Sequence, residues 1–474
     1  MLIFLMIFLT TGSDIIPSLR ISALGPEFAF LIEDPFTDIQ YNPALLGNQT
    51  KTSIYLRPEW PISGTYYGNR ISVGFFAPGT IKNLGSGILA SHSIYSYTSI
   101  NEDNGQNDIE IDSAKSMSSS PSAMFFLAIP FLKKNGFLGL KLSYQKSEIE
   151  NSLREYYFLN DTSYYNSDTT KLNRNRNDFS GYYTQPSNLI LRISQCLPFE
   201  NSSLNFVIGV NYGNEKRKDY DSTTNNDESV YIQHLGLIRQ INKYTSVSEM
   251  FRTNTEDKKI WSSILGINWT KYAGSDYLRL MFEIGAGKGS RETKDNGLSR
   301  EFVEHYFEYT DPDTSYSFTD TLTNNYTTID EGDKLNINNI SGEAGICHKK
   351  SITNNFSIFL GLKGIITEEK ETIPDSFEKD NKTYKITTPF GSEIFLSSQF
   401  CLRGGVAPVY KKTVNESNDL INYDSYKNMN ETISIINSIG IGTNVGSRLI
   451  LNLSFEGENL TQVDYWKIEA LYNF

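Results

Sequence analysis

The sequence predicts an all-β fold: a transmembrane antiparallel up-and-down β-barrel of about 14–18 strands, best counted as about 18, with a small N-terminal plug. Three observations predict it. Runs of alternating apolar and polar residues recur along most of the 474 residues. The connections between them alternate between short and long. No run of eighteen apolar residues follows the N-terminus, which excludes a helical membrane protein but not one that crosses with strands.

Composition agrees. Apolar residues make up only 39% of the chain, as expected where each strand is apolar on one face only. The 29 Tyr and 28 Phe are numerous enough to furnish aromatic girdles at two membrane interfaces. The net charge is −12, and no basic stripe is present, so nucleic acid is not expected as a partner. Acidic residues concentrate in the long connections, such as 102–112 and 368–371, and read as solvated charge. Bridging by divalent cations to lipopolysaccharide is the alternative. Cys196, Cys347 and Cys401 lack metal-type spacing and read as small apolar fillers.

The N-terminus comes first along the chain. Residues 1–9 form an apolar run followed by small residues, which reads as a signal peptide over 1–13 without a basic leader. Residues 14–50 do not alternate. Asp34-Pro35 and Asn42-Pro43 are turn signals flanking a stretch long enough for one helical turn. A compact apolar segment ahead of a barrel suggests a plug or hatch, with the barrel occupying 51–474.

Strands are expected near 51–58, 65–78, 86–99 and 119–132, and fourteen more from 137 onward. Pro58 and Pro61 interrupt the start. The stretch 123–132 is apolar on both faces, so its lumen side is expected to pack on something apolar. The short connections are 133–136, 200–203, 242–243, 272–275, 353–355, 403–405 and 446–447. The long ones are 100–117, 150–183, 290–333, 370–384 and 413–430. Tight turns at one end and longer loops at the other are the habit of transmembrane barrels.

Individual strands carry the alternation in their residue types, because successive side chains point to opposite faces. Leu204, Phe206, Ile208, Val210 and Tyr212 alternate with Asn205, Val207, Gly209 and Asn211. Leu278, Leu280, Phe282 and Ile284 alternate with Arg279, Met281, Glu283 and Gly285. The second set in each case carries glycines and polar groups, which a polar lumen tolerates. Lys141, Arg192, Arg279, Glu283, Lys363, Glu393, Lys467 and Glu469 are thereby candidate lumen-lining residues. They would tune solute passage, hold wall and plug together by ion pairs, or both.

Depth markers follow. Trp261 and Trp269 share a face, eight residues apart. At about 3.4 Å per residue and a tilt of about 45°, they span roughly 19 Å of membrane normal. Trp466 and Phe474 keep the same spacing, with Tyr472 on the same face. These five are candidate membrane-girdle and assembly-strand residues.

No catalytic constellation is visible, so an enzyme is not expected, and no cofactor or metal is called for. His305 lies among Glu301, Glu304 and Glu308, but no second histidine sits at a ligand spacing. There is no G-x-S-x-G and no phosphate loop.

The closing stripe Trp466, Ile468, Ala470, Tyr472, Phe474 resembles the C-terminal strand of bacterial outer-membrane β-barrels. That resemblance implies an outer-membrane location, contact with lipopolysaccharide, and delivery by the barrel-assembly machinery. The Asp turn followed by Asn42-Pro43-Ala44 resembles the N-terminal region of FadL-like and PorV-type barrels. By that resemblance Asp34, Pro35, Asn42, Pro43 and Ala44 are hatch residues. The implied function is passive uptake of a hydrophobic or small solute. The alternative is a PorV-like barrel that anchors or shuttles surface proteins through its long 290–333 connection.

Overall fold

The structure, a computed structural model, describes residues 18–61, 66–81, 84–104, 108–131, 136–165, 168–235, 237–330, 332, 334–373, 376–419, 424–445, 448–457 and 465–474. The expected signal peptide, 1–13, lies outside them. Two short helices come first, α1 (Leu19–Leu24) and α2 (Pro35–Tyr41). Each is followed by a 3-10 turn, Pro26–Phe28 and Pro43–Asn48 respectively.

Strands occupy most of the remainder. The first group is β1 (Ser53–Pro61), β2 (Tyr66–Ile81), β3 (Leu84–Asn104), β4 (Asp108–Pro130), β5 (Phe137–Lys146) and β6 (Glu148–Tyr165). Four long strands follow: β7 (Asp168–Phe199), β8 (Ser202–Leu235), β9 (Ile238–Ala273) and β10 (Asp276–Thr310). Then come β11 (Ser315–Asp330), β12 (Lys334–Thr353), β13 (Phe356–Ile373), β14 (Phe377–Thr387) and β15 (Phe390–Phe395). The last are β16 (Phe400–Asp419), β17 (Asp424–Val445), β18 (Leu449–Gly457) and β19 (Tyr465–Asn473).

All nineteen strands belong to one sheet, and every ladder is antiparallel. β1 pairs with β2 on one edge and with β19 on the other, so the sheet closes on itself. Three positions of the ring each hold two consecutive strands. β5 and β6 both lie between β4 and β7, broken at Ser147. β14 and β15 both lie between β13 and β16. β12 pairs with the first half of β10 and β11 with the second. With three positions doubled, the nineteen strands make sixteen positions round the ring. That is even, within the expected range and below its best count.

Two expected turns fall inside strands, and the one at 403–405 is displaced from the turn that joins β15 to β16. Residues 242–243 lie inside β9, where Lys243 stands between Val230 and Tyr306. Residues 403–405 lie inside β16, where Gly405 stands between Gly391 and Ser438. Asn-Lys and Arg-Gly-Gly favour turns locally, but ladders on both sides hold them extended.

The long connections are corrected more broadly. Residues 150–165 and 168–183 are ladder-paired parts of β6 and β7, and 290–310 and 315–330 are parts of β10 and β11. Outside a bilayer both faces of a strand are wet, so the apolar alternation vanishes while the backbone pairing persists. β9, at 36 residues, is about 120 Å long at ~3.3 Å per residue, whereas crossing a bilayer takes only ~9–11 residues. β1, β18 and β19 have nine residues each. The barrel therefore carries a tall β-wall over β7–β10.

The band that remains is amphipathic as a barrel wall must be. Leu191, Ile193, Ile208, Phe282 and Leu362 are exposed on the outside, while Arg192, Val207, Met281 and Lys363 beside them are buried. Water would penalise such an apolar band, and closure leaves no unpaired strand edge within it. The protein is a membrane-spanning barrel of the outer-membrane architecture. Among the described residues no helix is long and apolar enough to cross a membrane.

Aromatic residues mark depth on the outer face. Trp261 lies opposite Tyr212 with ring centroids 4.4 Å apart, and Trp466 stacks on Trp60 at 4.5 Å. β9 and β19 run in the same direction in this even ring, which puts Trp261 and Trp466 at one rim. Trp269, Tyr472 and Phe474 lie toward the other, where the Phe474 amide donates to the Thr52 carbonyl at 2.9 Å.

Candidate functional site

The N-terminal segment is held inside the ring, because its residues are buried and bonded to strands spaced all round it. Its local form follows from caps. Ser18 caps α1, accepting from the Ile21 amide at 3.2 Å. Asp34 caps α2 through Oδ1, which accepts from the Thr37 amide at 2.9 Å, and Pro35 takes the first helical position. Asp34 Oδ2 accepts from the Ser18 hydroxyl at 2.8 Å, which ties the two helices together. Asn42 Oδ1 accepts from the Ala44 amide at 3.1 Å, capping the turn that Pro43 begins.

Polar groups of the wall grip this segment at several points. The Arg279 guanidinium donates to both carboxylate oxygens of Asp38 at 3.0 Å, and to the Ile32 carbonyl at 3.0 Å. Arg279 is 3% exposed and Asp38 7%, so the pair is dry. Arg20 makes the reciprocal contact, donating from two nitrogens to Glu393 at 3.2 Å. Lys141 Nζ donates to the Gln40 carbonyl at 2.9 Å. Glu469 accepts from the Leu19 amide at 2.9 Å, and the Arg192 guanidinium stands 5.4 Å from the centre of the Tyr41 ring. Lys385 reaches Glu27 at 2.8 Å, and the Tyr272 hydroxyl donates to the Glu33 carboxylate.

The other contacts are apolar. Phe36, Ile39 and Leu46 pack against Tyr55, Phe76, Leu89, Met124, Phe126 and Ala128 of β1–β4. Phe36 stacks on Tyr55 at 3.9 Å and meets Phe76 edge-on at 5.7 Å. The double-sided apolar stretch 123–132 thus turns Met124, Phe126 and Ala128 onto the segment. A second cluster joins Ile21, Leu24, Phe28, Leu31 and Ile32 to Tyr277, Cys347 and Phe359.

Inward glycines are the seats. A Cβ on Gly139 would overlap the Ala44 amide nitrogen, and one on Gly405 would overlap the Leu24 carbonyl. The backbone of the segment lies directly against the wall at both places.

Every candidate lumen residue can now be located. Lys141, Arg192, Arg279, Glu393 and Glu469 reach the segment. Lys363 instead pairs with Glu343 on the wall at 2.7 Å, and Lys467 with Glu456 at 2.7 Å. Glu283 is buried in register between Gly266 and Glu343. Arg20, Glu27, Glu33 and the glycine seats were not singled out from sequence; their partners lie far away along the chain and leave no local signal. Also unforeseen are Lys258–Glu369 at 2.9 Å and Arg291–Glu371 at 3.1 Å. The first joins β9 to β13 across the two intervening positions of the ring. Among the described residues no group of three or more His, Cys, Asp or Glu is arranged to hold a metal, and the three cysteines are buried free thiols.

No family model and no curated protein matches the chain. Solved structures similar to it include a mutant ferric enterobactin receptor, PfeA, from Pseudomonas aeruginosa. It is 8% identical, with 90% of this chain and 81% of that one covered, and a TM-score of 0.29. A mutant of the TodX monoaromatic hydrocarbon channel is 10% identical over 92% of this chain and 94% of its own, with a TM-score of 0.30. The alcaligin outer-membrane receptor FauA from Bordetella pertussis is 10% identical over 90% and 76%, with a TM-score of 0.27. The barrel is read from this chain's own ladders, not from these likenesses.

Proposed function

We propose that the protein is a plugged outer-membrane channel for passive uptake of a hydrophobic or small solute, in the FadL-like manner. The observation that carries this reading is the asymmetric fit of the N-terminal segment. One side combines discrete charge pairs, chiefly Arg279–Asp38 and Arg20–Glu393, with the cluster on Tyr277, Cys347 and Phe359. Another is an aromatic contact with β1–β4 that needs no directional bonds. A segment held this way would serve as a hatch: losing its buried charge pairs would loosen it, and the surface under Phe36, Ile39 and Leu46 suits an apolar solute. Asp34, Pro35, Asn42, Pro43 and Ala44 are its structural residues, and no catalysis, cofactor or metal is invoked. The aromatic outer face of β19 is the feature by which the assembly machinery would recognise the barrel, and the outer leaflet would supply lipopolysaccharide.

Planar-bilayer conductance tests the reading. Deleting 14–50 should raise single-channel conductance, and vesicles carrying the deletion should admit a hydrophobic dye faster. Unchanged conductance with a folded barrel would refute the hatch. A second reading, PorV-like anchoring or shuttling of surface proteins, is favoured by one observation, the tall β-wall over β7–β10.

A further inference from the structure

β11 is a free sheet edge. Over Asp295–Thr310, β10 has β9 on one side and β11 on the other, while β11 pairs with β10 alone among the described residues. Below it, β12 takes the same position in the ring and is sealed by β13, which pairs up to Thr372 opposite Asn336. All sixteen residues of β11 stand above that seal. One whole edge of backbone N–H and C=O groups therefore faces outward.

Free edges are normally blunted by lysine, proline, a bulge or a covering loop. β11, S-Y-S-F-T-D-T-L-T-N-N-Y-T-T-I-D, contains neither lysine nor proline, and its register on β10 runs without a shift. Its two faces differ. Tyr316, Phe318, Leu322 and Tyr326 share one face with Asp320 and Asp330, while the other is largely Ser and Thr. The apolar face is already organised: Phe318 stacks on Phe307 at 5.4 Å and Tyr316 on Tyr309 at 5.3 Å. Asp320 and Asp330 form no ion pair among the described residues.

The geometry points to β11 as a docking edge for an extended, cationic strand of a secreted or surface partner protein, which would add to the wall as its next strand. Backbone bonding along the edge would supply affinity, and alternate side chains would supply selectivity. A residue flanked by Tyr316, Phe318 or Leu322 should be apolar, and those beside Asp320 and Asp330 should be Lys or Arg. A second copy fits less well. Two barrels side by side in one membrane present β11 in the same direction and at the same height. Pairing would then set Asp320 beside Asp320 and Asp330 beside Asp330, a like-charge arrangement that destabilises the ladder.

The test uses the full chain in lipid nanodiscs and synthetic strand peptides of about fourteen residues. The first peptide alternates Thr with Val and Tyr and carries two Lys ten positions apart, matching Asp320 and Asp330 in either strand direction. The second has Glu in place of Lys. Two more are N-methylated at alternate amides, one in each phase. Fluorescence anisotropy should show saturable binding of the Lys peptide, about tenfold weaker binding of the Glu peptide, and loss of binding for one methylated phase. The Asp320→Lys/Asp330→Lys protein should reverse the charge preference. Both positions are exposed, and heat-modifiable migration confirms folding of that variant. Deleting 14–50 should leave peptide binding unchanged, which separates this inference from the hatch. Equal binding of Lys and Glu peptides, or full binding of both methylated forms, overturns it. So does a Thr323→Cys crosslink between two copies in the bilayer, which would assign the edge to self-association.

Discussion

Replacing Asp38 by Ala should loosen the hatch without harming the barrel. Arg279 is 3% exposed and places two nitrogens on Asp38, one of which also serves the Ile32 carbonyl. Its Nε has a separate acceptor, the Asn268 amide oxygen at 3.0 Å. Removing Asp38 leaves a buried guanidinium with neutral acceptors only. Losing one member of such a pair costs about 3–5 kcal/mol, most of it from the charge left behind. If this falls on the docked state alone, the docked-to-released equilibrium shifts by a factor of roughly 10² to 10³ or more. Hydrogen exchange of residues 18–48 is the direct assay, because protection there reports release of the segment while protection of β7–β10 reports the wall. Asp38→Ala should cost protection in 18–48 only and raise conductance. The double variant Asp38→Leu/Arg279→Met should recover most of it, since an apolar pair of similar volume removes the stranded charge. The reasoning fails if the single variant leaves 18–48 as protected as the parent. It fails equally if the double variant is as open as the single.

Other perturbations separate the remaining contacts. Gly139→Val should lift the Asn42–Ala44 backbone off β5 at a cost of about 1–3 kcal/mol, read as faster exchange at Ala44 in a barrel of unchanged heat-modifiable mobility. Trp466→Ala should lower barrel stability by at least about 0.5–1.5 kcal/mol through loss of its stack on Trp60, measurable by urea unfolding in lipid vesicles. Cys347, fully buried in one apolar cluster with Ile21, Leu24 and Phe28, should resist a polar maleimide in the intact protein and react once 14–50 is deleted. Asn42→Ala should destabilise the capped turn by about 1 kcal/mol, seen as local exchange without change in Asp38 protection.

Much of the barrel was legible because a bilayer imposes a period. The faces of β8 and β10 could be assigned residue by residue, since lipid selects Ile208 and Phe282 on one side and the lumen admits Arg279 on the other. The same cause explains the failures. Beyond the membrane the selection stops, so 150–183 and 290–333 read as loops although 150–165, 168–183, 290–310 and 315–330 are paired strands. The turns at 242–243 and 403–405 were inferred from local propensity that flanking ladders override. Asp34-Pro35 and Asn42-Pro43 were visible as turn signals flanking one helical turn; the structure makes Asp34 and Asn42 caps, whose bonds span two or three residues.

By itself, then, the sequence determined the class of fold, the membrane-facing residues and the two turn signals of the N-terminal segment. Those depend on period-two alternation and on contacts between near neighbours. Only the tertiary structure decided which inward charges hold that segment, where it lies against glycine, and that β11 has β10 on one side and no second strand on the other among the described residues. Asp38 and Arg279 are 241 residues apart, and nothing near either one names the other. Closing the ring brings them together, and the same closure, sealing β12 with β13 but leaving β11 above the seal, creates the open edge.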